Sequence, residues 1–208
     1  MYVHSLLLYM KPLLTLLALV LVNSSTIDKF FLNDRAQIDK VVLFDHILQT
    51  RKLSFMAELF AVMAHSPGAL KSVASVGEHV RFQSVLDEVL REMIICTVSQ
   101  EVGNYYEWCH HIHRMPKNMQ KVIGMKSAEN LPEPDGSVLR YARLVANNKK
   151  VDDGLIEAIR SSLGNIGLID LTVMVGYYQL IGTFCNTLQV PIEDGLERIP
   201  FNLSLIHI

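Results

Sequence analysis

The residues of this chain that are best suited to chemistry are an asparagine, a glutamate and a histidine at helical spacing. Asn104, Glu107 and His111 follow Gly103 at relative positions i, i+3 and i+7, within the segment NYYEWCHH. At 3.6 residues per turn, these three side chains fall on one face of a helix. Glu107 and His111 also form an i, i+4 pair, in which the carboxylate can orient the imidazole and favour its charged form. A histidine supported in this way can serve as a general acid or base near neutral pH.

A second carboxylate, Glu92, lies on the preceding apolar stretch, next to Met93 and two isoleucines. A charge at such a position is costly unless it is paired. On one continuous helix, the 19 residues from Glu92 to His111 would separate them by about 28 Å. The chain must therefore reverse near Gly103, which lies 11 residues after Glu92 and eight before His111. We predict a turn between residues 100 and 105 and a contact between Glu92 and His111.

Metal and disulfide chemistry fit the remaining histidines and cysteines less well. The HHIH segment at 110–113 spreads its imidazoles around a helix, and the HExxH spacing of a zinc site is absent. We expect neither a metal nor another cofactor. Cys96, Cys109 and Cys185 are too few and too scattered for a disulfide scaffold. Cys109 is predicted to face the opposite side of the helix from the Glu–His pair.

The elements that must position these residues are all predicted to be helices. Gly103 and Gly164 interrupt helical patterns, prolines punctuate the middle of the chain, and no strand pattern or Gly-rich phosphate loop occurs. SVLD at 84–87 resembles a capping box and predicts a helix start at Ser84. The sequence predicts an all-α domain over residues 35–195, followed by a tail at 196–208. Helices are expected at about 35–49, 55–65, 68–82, 84–102, 104–115, 138–147, 152–163 and 168–188.

Composition excludes several classes of protein. Half of the 208 residues are apolar, which excludes a disordered chain. With 21 acidic and 19 basic side chains the net charge is −2, so there is no basic field for nucleic acid and no polybasic patch for a membrane surface. A small-molecule substrate is the expected partner.

The N-terminal stretch is the most apolar part of the chain. Lys11 is the only charged residue in segment 5–22, and the apolar run 12–22 is shorter than the ~20 residues of a spanning helix. A lysine before such a run and small polar residues after it predict a signal peptide or hydrophobic leader at 1–25. A single anchor and a misassigned upstream start remain as alternatives. The protein is expected to be secreted, periplasmic or membrane-associated if the leader is genuine, and cytoplasmic otherwise; an uncleaved leader would be its only membrane contact.

Three stretches of the chain resemble the carboxymuconolactone decarboxylase family, which includes the alkylhydroperoxidase D-like proteins. They are FAVMAHSPGAL at 60–70, LREMIICTVSQEVGNYYEWCHH at 90–111 and VGYYQLIGTFCNTLQVPIEDG at 175–195. The YEWxxH form is typical of the decarboxylase-like branch. The resemblance implies an alkylhydroperoxidase D-like helical fold that assembles as a homo-oligomer, commonly a trimer or hexamer, with active sites near subunit contacts.

The chain departs from the peroxidase branch of that family at the two reactive positions. In that branch a glutamate, a CxxC pair and a histidine form the site, and Glu92 and His111 occupy the first and last positions. Asn104 and Glu107 stand where the two cysteines would be, and neither can attack a peroxide. We therefore expect Glu92, Glu107 and His111 to form a proton relay acting on a small organic acid or lactone. Asn104 is expected to bind the substrate by donating to a developing oxyanion.

Two alternatives from other functional classes stay open. One is an alkylhydroperoxidase-like or peroxiredoxin-like antioxidant enzyme that uses Cys109 as a redox residue. The other is a family member that binds a ligand without catalysis. The sequence does not single out a cation for a substrate carboxylate, and Arg91 and Arg114 are the candidates.

Overall fold

The described part of the protein is built from helices. The computed structural model describes residues 34–51, 56–124 and 131–201, and no strand occurs among them. The predicted leader at 1–25 and residues 202–208 of the predicted tail lie outside these ranges. The helices are α1 Asp34–Arg51, α2 Glu58–Met63, α3 Pro67–Glu78, α4 Glu88–Glu101, α5 Tyr105–His111, α6 Lys117–Gly124, α7 Asp135–Ala146 and α8 Asp153–Leu188. The all-α prediction is confirmed for these residues, and the finer alkylhydroperoxidase D-like assignment stays a prediction.

Residue contacts divide the chain into two compact units, 1–75 and 76–208. In the first unit, α2 buries Leu59, Phe60 and Met63. The Arg51 guanidinium lies 4.9 Å from the centroid of the Phe60 ring and donates to the carbonyl oxygen of Ala74 at 3.1 Å. A cation stacked on an aromatic ring stabilises such a contact by about 0.5–1 kcal/mol.

Helix α4 is the central element of the second unit. It packs against α5, α7 and α8, and its residues from 92 to 99 are all buried. A helix buried on every side must be apolar nearly all round, which matches the sequence MIICTV at 93–98. Glu92 is the one ionisable carboxylate within this buried stretch, so it needs a partner inside the fold.

The start of α4 differs from the prediction. The helix begins at Glu88, and its N-cap is Asp87, whose carboxylate accepts from the backbone N–H of Leu90 at 2.9 Å. The prediction of a start at Ser84 was wrong. Ser84 instead ends a π-helical turn, His79–Gln83, that follows α3. Residues 84–86 form a bend between that turn and the N-cap of α4, so the capping-box pattern does not start the helix.

The predicted reversal at Gly103 is present. Gly103 has φ +68, a left-handed conformation that favours glycine because other residues are strained there. Asn104 then caps α5, accepting from the N–H of Glu107 at 3.2 Å. Gly182 on α8 faces this turn closely, since a Cβ there would lie 2.7 Å from a methyl of Val102 and 3.4 Å from the Cβ of Asn104. The absence of a side chain at Gly182 lets α8 pack directly on the turn.

Helix α8 carries the predicted break at Gly164. The two predicted helices on either side form one 36-residue element, but Gly164 has φ +71 and ψ 176, which is not helical. By length and composition alone α8 could span a membrane, although half of its apolar window is buried inside the protein. Its inner face supplies core residues of the second unit, including Leu171, Met174 and Ile181.

The segment after α8 packs along α5. The Trp108 indole N–H donates to the carbonyl oxygen of Ile199 at 2.9 Å, and the Phe201 ring lies 5.3 Å from that of Trp108. Glu193 accepts from the Tyr106 hydroxyl at 2.5 Å and lies 2.7 Å from Nε2 of His110. The first residues of the predicted tail therefore have tertiary contacts, for which the sequence held no helical or capping signal.

Candidate functional site

Glu92 and His111 meet inside the second unit, as the reversal at Gly103 predicts. The Nδ1 atom of His111 lies 2.5 Å from Oε2 of Glu92, although 19 residues separate them in the chain. Both side chains are buried, with 3% of the imidazole and 5% of the carboxylate exposed. Charge-assisted hydrogen bonds of this kind are short and strong, and they hold an imidazole in a defined orientation.

Glu107 engages the other nitrogen of the same ring. Its Oε2 lies 3.1 Å from Nε2 of His111, which is the contact that the i, i+4 spacing predicts. Each ring nitrogen of His111 thus faces a carboxylate oxygen. An imidazolium satisfies both contacts by donating two N–H groups, whereas a neutral ring has only one N–H to donate. In the cluster Glu92–His111–Glu107, the imidazole can therefore hold a proton between two carboxylates.

Arg81 also belongs to the site, although no sequence motif predicts it. One of its terminal nitrogens lies 3.5 Å from Oε1 of Glu92. Arg81 belongs to the π-helical turn His79–Gln83, and Asp170 on α8 contacts the first residue of that turn and the backbone two residues after its end. Asp170 lies 3.0 Å from Nε2 of His79 and accepts from the N–H of Val85 at 2.9 Å. An arginine between two apolar residues at the end of a helix was the only local signal for this role.

Arg81 balances the charge of the site. Two ionised carboxylates, one imidazolium and one guanidinium sum to zero, which a buried cluster requires. Burial would lower the pKa of Arg81, but Tyr178 and the two carboxylates raise it above its ordinary value, so the guanidinium stays charged. The Arg81 side chain is 17% exposed, more than any of the three groups in the relay. It therefore lies on the side of the cluster that is open to solvent.

Both carboxylates remain ionised despite their burial. Burial alone would raise the pKa of Glu92, but the charge and hydrogen bond of His111, together with Arg81, hold it below its ordinary value. Burial likewise opposes ionisation of Glu107, and the hydrogen bond and charge of His111 hold its pKa below the ordinary value as well. At both positions the cations lower the carboxyl pKa by more than desolvation raises it.

Tyr178 forms an aromatic wall next to the imidazole. Its ring centroid lies 5.9 Å from that of His111 at an interplanar angle of 82°, and the Tyr177 ring packs against it edge-on at 5.2 Å. Burial raises the pKa of Tyr178 well above its usual value, so its hydroxyl stays neutral. The ring packs edge-on against the imidazole, of which 3% is exposed.

Asn104 lies at the start of the helix that carries Glu107 and His111, and its side chain is fully buried. The amide oxygen caps α5, but the Nδ2 group has no hydrogen-bond partner among the described residues. A buried amide donor without a partner is costly, and such groups often mark binding sites. Asn104 therefore keeps one buried amide donor without a partner among the described residues, and its role in substrate binding stays a prediction.

We expect Asn104→Ala to lower the free energy of unfolding by about 1 kcal/mol, because α5 loses its N-cap acceptor. Urea denaturation of the purified protein measures the change. Asn104→Ser retains a hydroxyl acceptor and should recover part of the loss. If both variants unfold at the same urea concentration as the wild type, then the cap does not stabilise α5.

The cysteines lie in buried positions that do not favour thiol chemistry. Cys96, Cys109 and Cys185 are all reduced and buried. Burial raises the pKa of the Cys96 thiol well above its usual range, and that of Cys185 also lies far above it. Cys109 is fully buried, and the group that interacts with it is the Tyr105 hydroxyl. Low-pKa, accessible thiols are what peroxide chemistry needs.

The two arginines considered from the sequence have other partners. Arg91 donates to the carbonyl oxygen of Leu86 at 2.7 Å, and Nε of Arg114 donates to that of His110 at 3.1 Å. Arg81, not Arg91, contacts a relay carboxylate. Within the described ranges, no group of three or more His, Cys, Asp or Glu side chains is arranged to hold a metal ion.

Comparison of the chain with models of known protein families, with curated proteins and with solved structures finds no match. The site is therefore defined by its own geometry: an imidazole between two buried carboxylates, balanced by Arg81.

Proposed function

We propose that this protein is a carboxymuconolactone decarboxylase-like enzyme. In this proposal Glu92, His111 and Glu107 transfer a proton to a small organic acid or lactone. The observation that carries the proposal is the contact of both His111 nitrogens with buried carboxylates, at 2.5 Å to Glu92 and 3.1 Å to Glu107. A purely structural ion pair needs only one carboxylate for each imidazolium, whereas a second carboxylate provides a path for the proton.

The proposal assigns different roles to the two carboxylates, whose side chains are exposed to similarly small extents, 8% for Glu107 and 5% for Glu92. Glu107 lies on the helix that Asn104 caps, so it is taken as the member that meets a substrate bound to the Asn104 amide. Glu92 then stabilises the charge of His111 through the other ring nitrogen. A histidine with a carboxylate behind it is a common device for acid–base catalysis.

Decarboxylation places two demands on such a site. When CO₂ leaves a carboxylate, the electron pair of the broken C–C bond stays on the substrate as an enolate-like anion. The proton held by His111 then passes by way of Glu107 to carbon, which leaves Glu107 ionised again, and a proton from solvent restores the imidazolium. The unpartnered Nδ2 of Asn104 donates to the oxygen on which the negative charge develops, which lowers the barrier.

In this proposal Arg81 binds the carboxylate of the substrate. Its side chain is partly open to solvent, and a guanidinium matches a carboxylate with two parallel N–H groups. Lysine presents a point charge instead of a planar pair of donors. Arg81→Lys therefore keeps the positive charge at this position and removes the planar pair of donors.

Turnover of a panel of lactone carboxylates, with carboxymuconolactone among them, tests the proposal. CO₂ release and deuterium incorporation at carbon in D₂O are the readouts. We expect Glu107→Gln and His111→Gln to lower kcat by about 10²–10⁴-fold, the usual contribution of a general acid. Arg81→Lys should chiefly raise KM, because it weakens substrate binding without removing the relay.

Glu88→Gln is the matched control, since Glu88 is an exposed glutamate on the same helix as Glu92. It should leave both kcat and KM unchanged. Unchanged turnover in the Glu107 and His111 variants would exclude the relay mechanism. No turnover of any panel member by the wild-type protein, with saturable binding of the same compounds, would favour a ligand-binding member without catalysis.

A further inference from the structure

Tyr178 carries a hydroxyl for which the fold provides no partner. The residue lies on α8 and is 2% exposed, and its ring meets those of His111 and Tyr177 edge-on. Its hydroxyl forms no hydrogen bond with any residue that the structure describes. The hydroxyl of a buried tyrosine usually has a hydrogen-bond partner, because a polar group removed from water without one is costly. A ligand bound at the relay would supply that partner.

Two other buried tyrosines of the second unit use their hydroxyls to join elements of the fold. The hydroxyl of Tyr141 on α7 is hydrogen-bonded to that of Thr172 on α8 at 2.8 Å. The hydroxyl of Tyr106 on α5 donates to Glu193, in the segment after α8, at 2.5 Å. Tyr178 is more completely buried than either of them, yet its hydroxyl joins nothing. The packing of the ring therefore has a structural role, whereas the hydroxyl has none among the described residues.

The Tyr178 hydroxyl lies within electrostatic range of the charged groups of the site. Burial raises the pKa of Tyr178 well above its usual value, Arg81 lowers that pKa, and Glu107 and Glu92 raise it further. Burial lowers the pKa of Arg81, and Tyr178 is the group that does most to raise it again. Because the phenol stays protonated at neutral pH, it can donate a hydrogen bond. A neutral donor thus lies near the guanidinium that binds the substrate carboxylate in the proposed function.

We propose that the Tyr178 hydroxyl and the Arg81 guanidinium donate hydrogen bonds to the same carboxylate of the substrate. Arg81 lies 3.5 Å from Glu92, so its charge is shared between the cluster and a ligand. A phenol adds a donor for an anion without adding charge to a site whose ionised groups sum to zero. The inference deepens the proposed function and rests on it for the role of Arg81. Tyr178 becomes the residue that favours a lactone acid over the same lactone without its carboxylate.

Calorimetric titration of the full-length protein with a lactone acid that cannot react tests this inference. The probe is γ-butyrolactone-γ-carboxylate, which has no group to stabilise the carbanion left by loss of CO₂, and γ-butyrolactone is the same ring without the carboxylate. The wild type should bind the acid more tightly than the lactone. Tyr178→Phe keeps the ring against His111 and should weaken binding of the acid about 10-fold or more, the usual effect of losing a hydrogen bond to a charged group. Its affinity for γ-butyrolactone should not change.

Tyr141→Phe is the matched control, since Tyr141 is also buried but its hydroxyl is bonded to Thr172. It should leave the affinity for the acid unchanged. Tyr178→Phe combined with Arg81→Lys should weaken binding by less than the product of the two single effects, because two donors to one carboxylate depend on each other. A phenol that donates to an anion absorbs at longer wavelength, so the acid should shift the tyrosine absorbance of the wild type and of Tyr141→Phe, but not that of Tyr178→Phe.

These measurements separate failure of the inference from failure of the proposed function. Binding of the acid that depends on Tyr178, without turnover of any lactone carboxylate, would support the shared contact and count against decarboxylation. Turnover by the wild type, with the same KM and the same affinity for the acid in Tyr178→Phe, would overturn the inference and leave the relay in place. A wild type that binds the acid no more tightly than γ-butyrolactone up to about 10 mM would also overturn it. If Tyr178→Phe does not fold, the absorbance of the wild type decides: a shift given by the acid but not by γ-butyrolactone supports the contact, and no shift overturns it.

Discussion

Replacement of His111 by alanine is expected to lower the free energy of unfolding by about 3–5 kcal/mol at neutral pH, because it leaves two buried carboxylates without their shared cation. Glu92 and Glu107 both lie within hydrogen-bond distance of the imidazole, and both are more than nine-tenths buried. Arg81 lies 3.5 Å from Glu92, and it acts on Glu107 more weakly than His111 does, so it replaces the lost cation only in part. Urea denaturation followed by circular dichroism measures the loss.

A double variant distinguishes lost charge balance from lost packing. Adding Glu107→Gln to His111→Ala removes one of the two uncompensated carboxylates, so it should restore part of the stability. His65→Ala, at an exposed histidine, is the control and should change stability by less than about 0.5 kcal/mol. A loss below about 1 kcal/mol in His111→Ala would mean that water or another group compensates the two carboxylates.

The stability of the protein is expected to fall in acid through the same two carboxylates. The cations of the site hold the pKa of Glu92 and that of Glu107 below the ordinary 4.5 of a glutamate. A carboxylate whose folded-state pKa is depressed contributes stability above its unfolded pKa, and this contribution is lost as the pH falls through the folded value. The unfolding free energy should therefore decline below about pH 4.5.

The steepness of that decline depends on how many carboxylates titrate. Each one contributes up to about 1.4 kcal/mol per pH unit. Glu92→Gln and Glu107→Gln should each flatten the curve of unfolding free energy against pH between pH 3 and 5. Curves of equal slope for the wild type and the two variants would show that the relay carboxylates titrate alike in the folded and unfolded states.

Local pattern was enough to predict most helices and the turn at Gly103. Glycine is the residue that adopts positive φ without strain, and asparagine is a preferred cap, so GN at 103–104 ends one helix and starts the next. The Glu92–His111 contact followed from that turn together with the cost of an unpaired buried charge. The start of α4 was mispredicted because Ser84 and Asp87 are both good caps, and packing of the preceding turn decides between them.

The sequence by itself determined an all-helical chain with a Glu–His–Glu cluster around one reversal, because periodicity, capping and charge burial act over a few residues. Only the tertiary structure decided that Arg81 completes the cluster. Its position depends on a π-helical turn held by Asp170, a residue 89 positions further along the chain. The exposure of one face of α8 was likewise decided by packing, since the helix is apolar on both faces and local sequence does not distinguish the buried side from the open one.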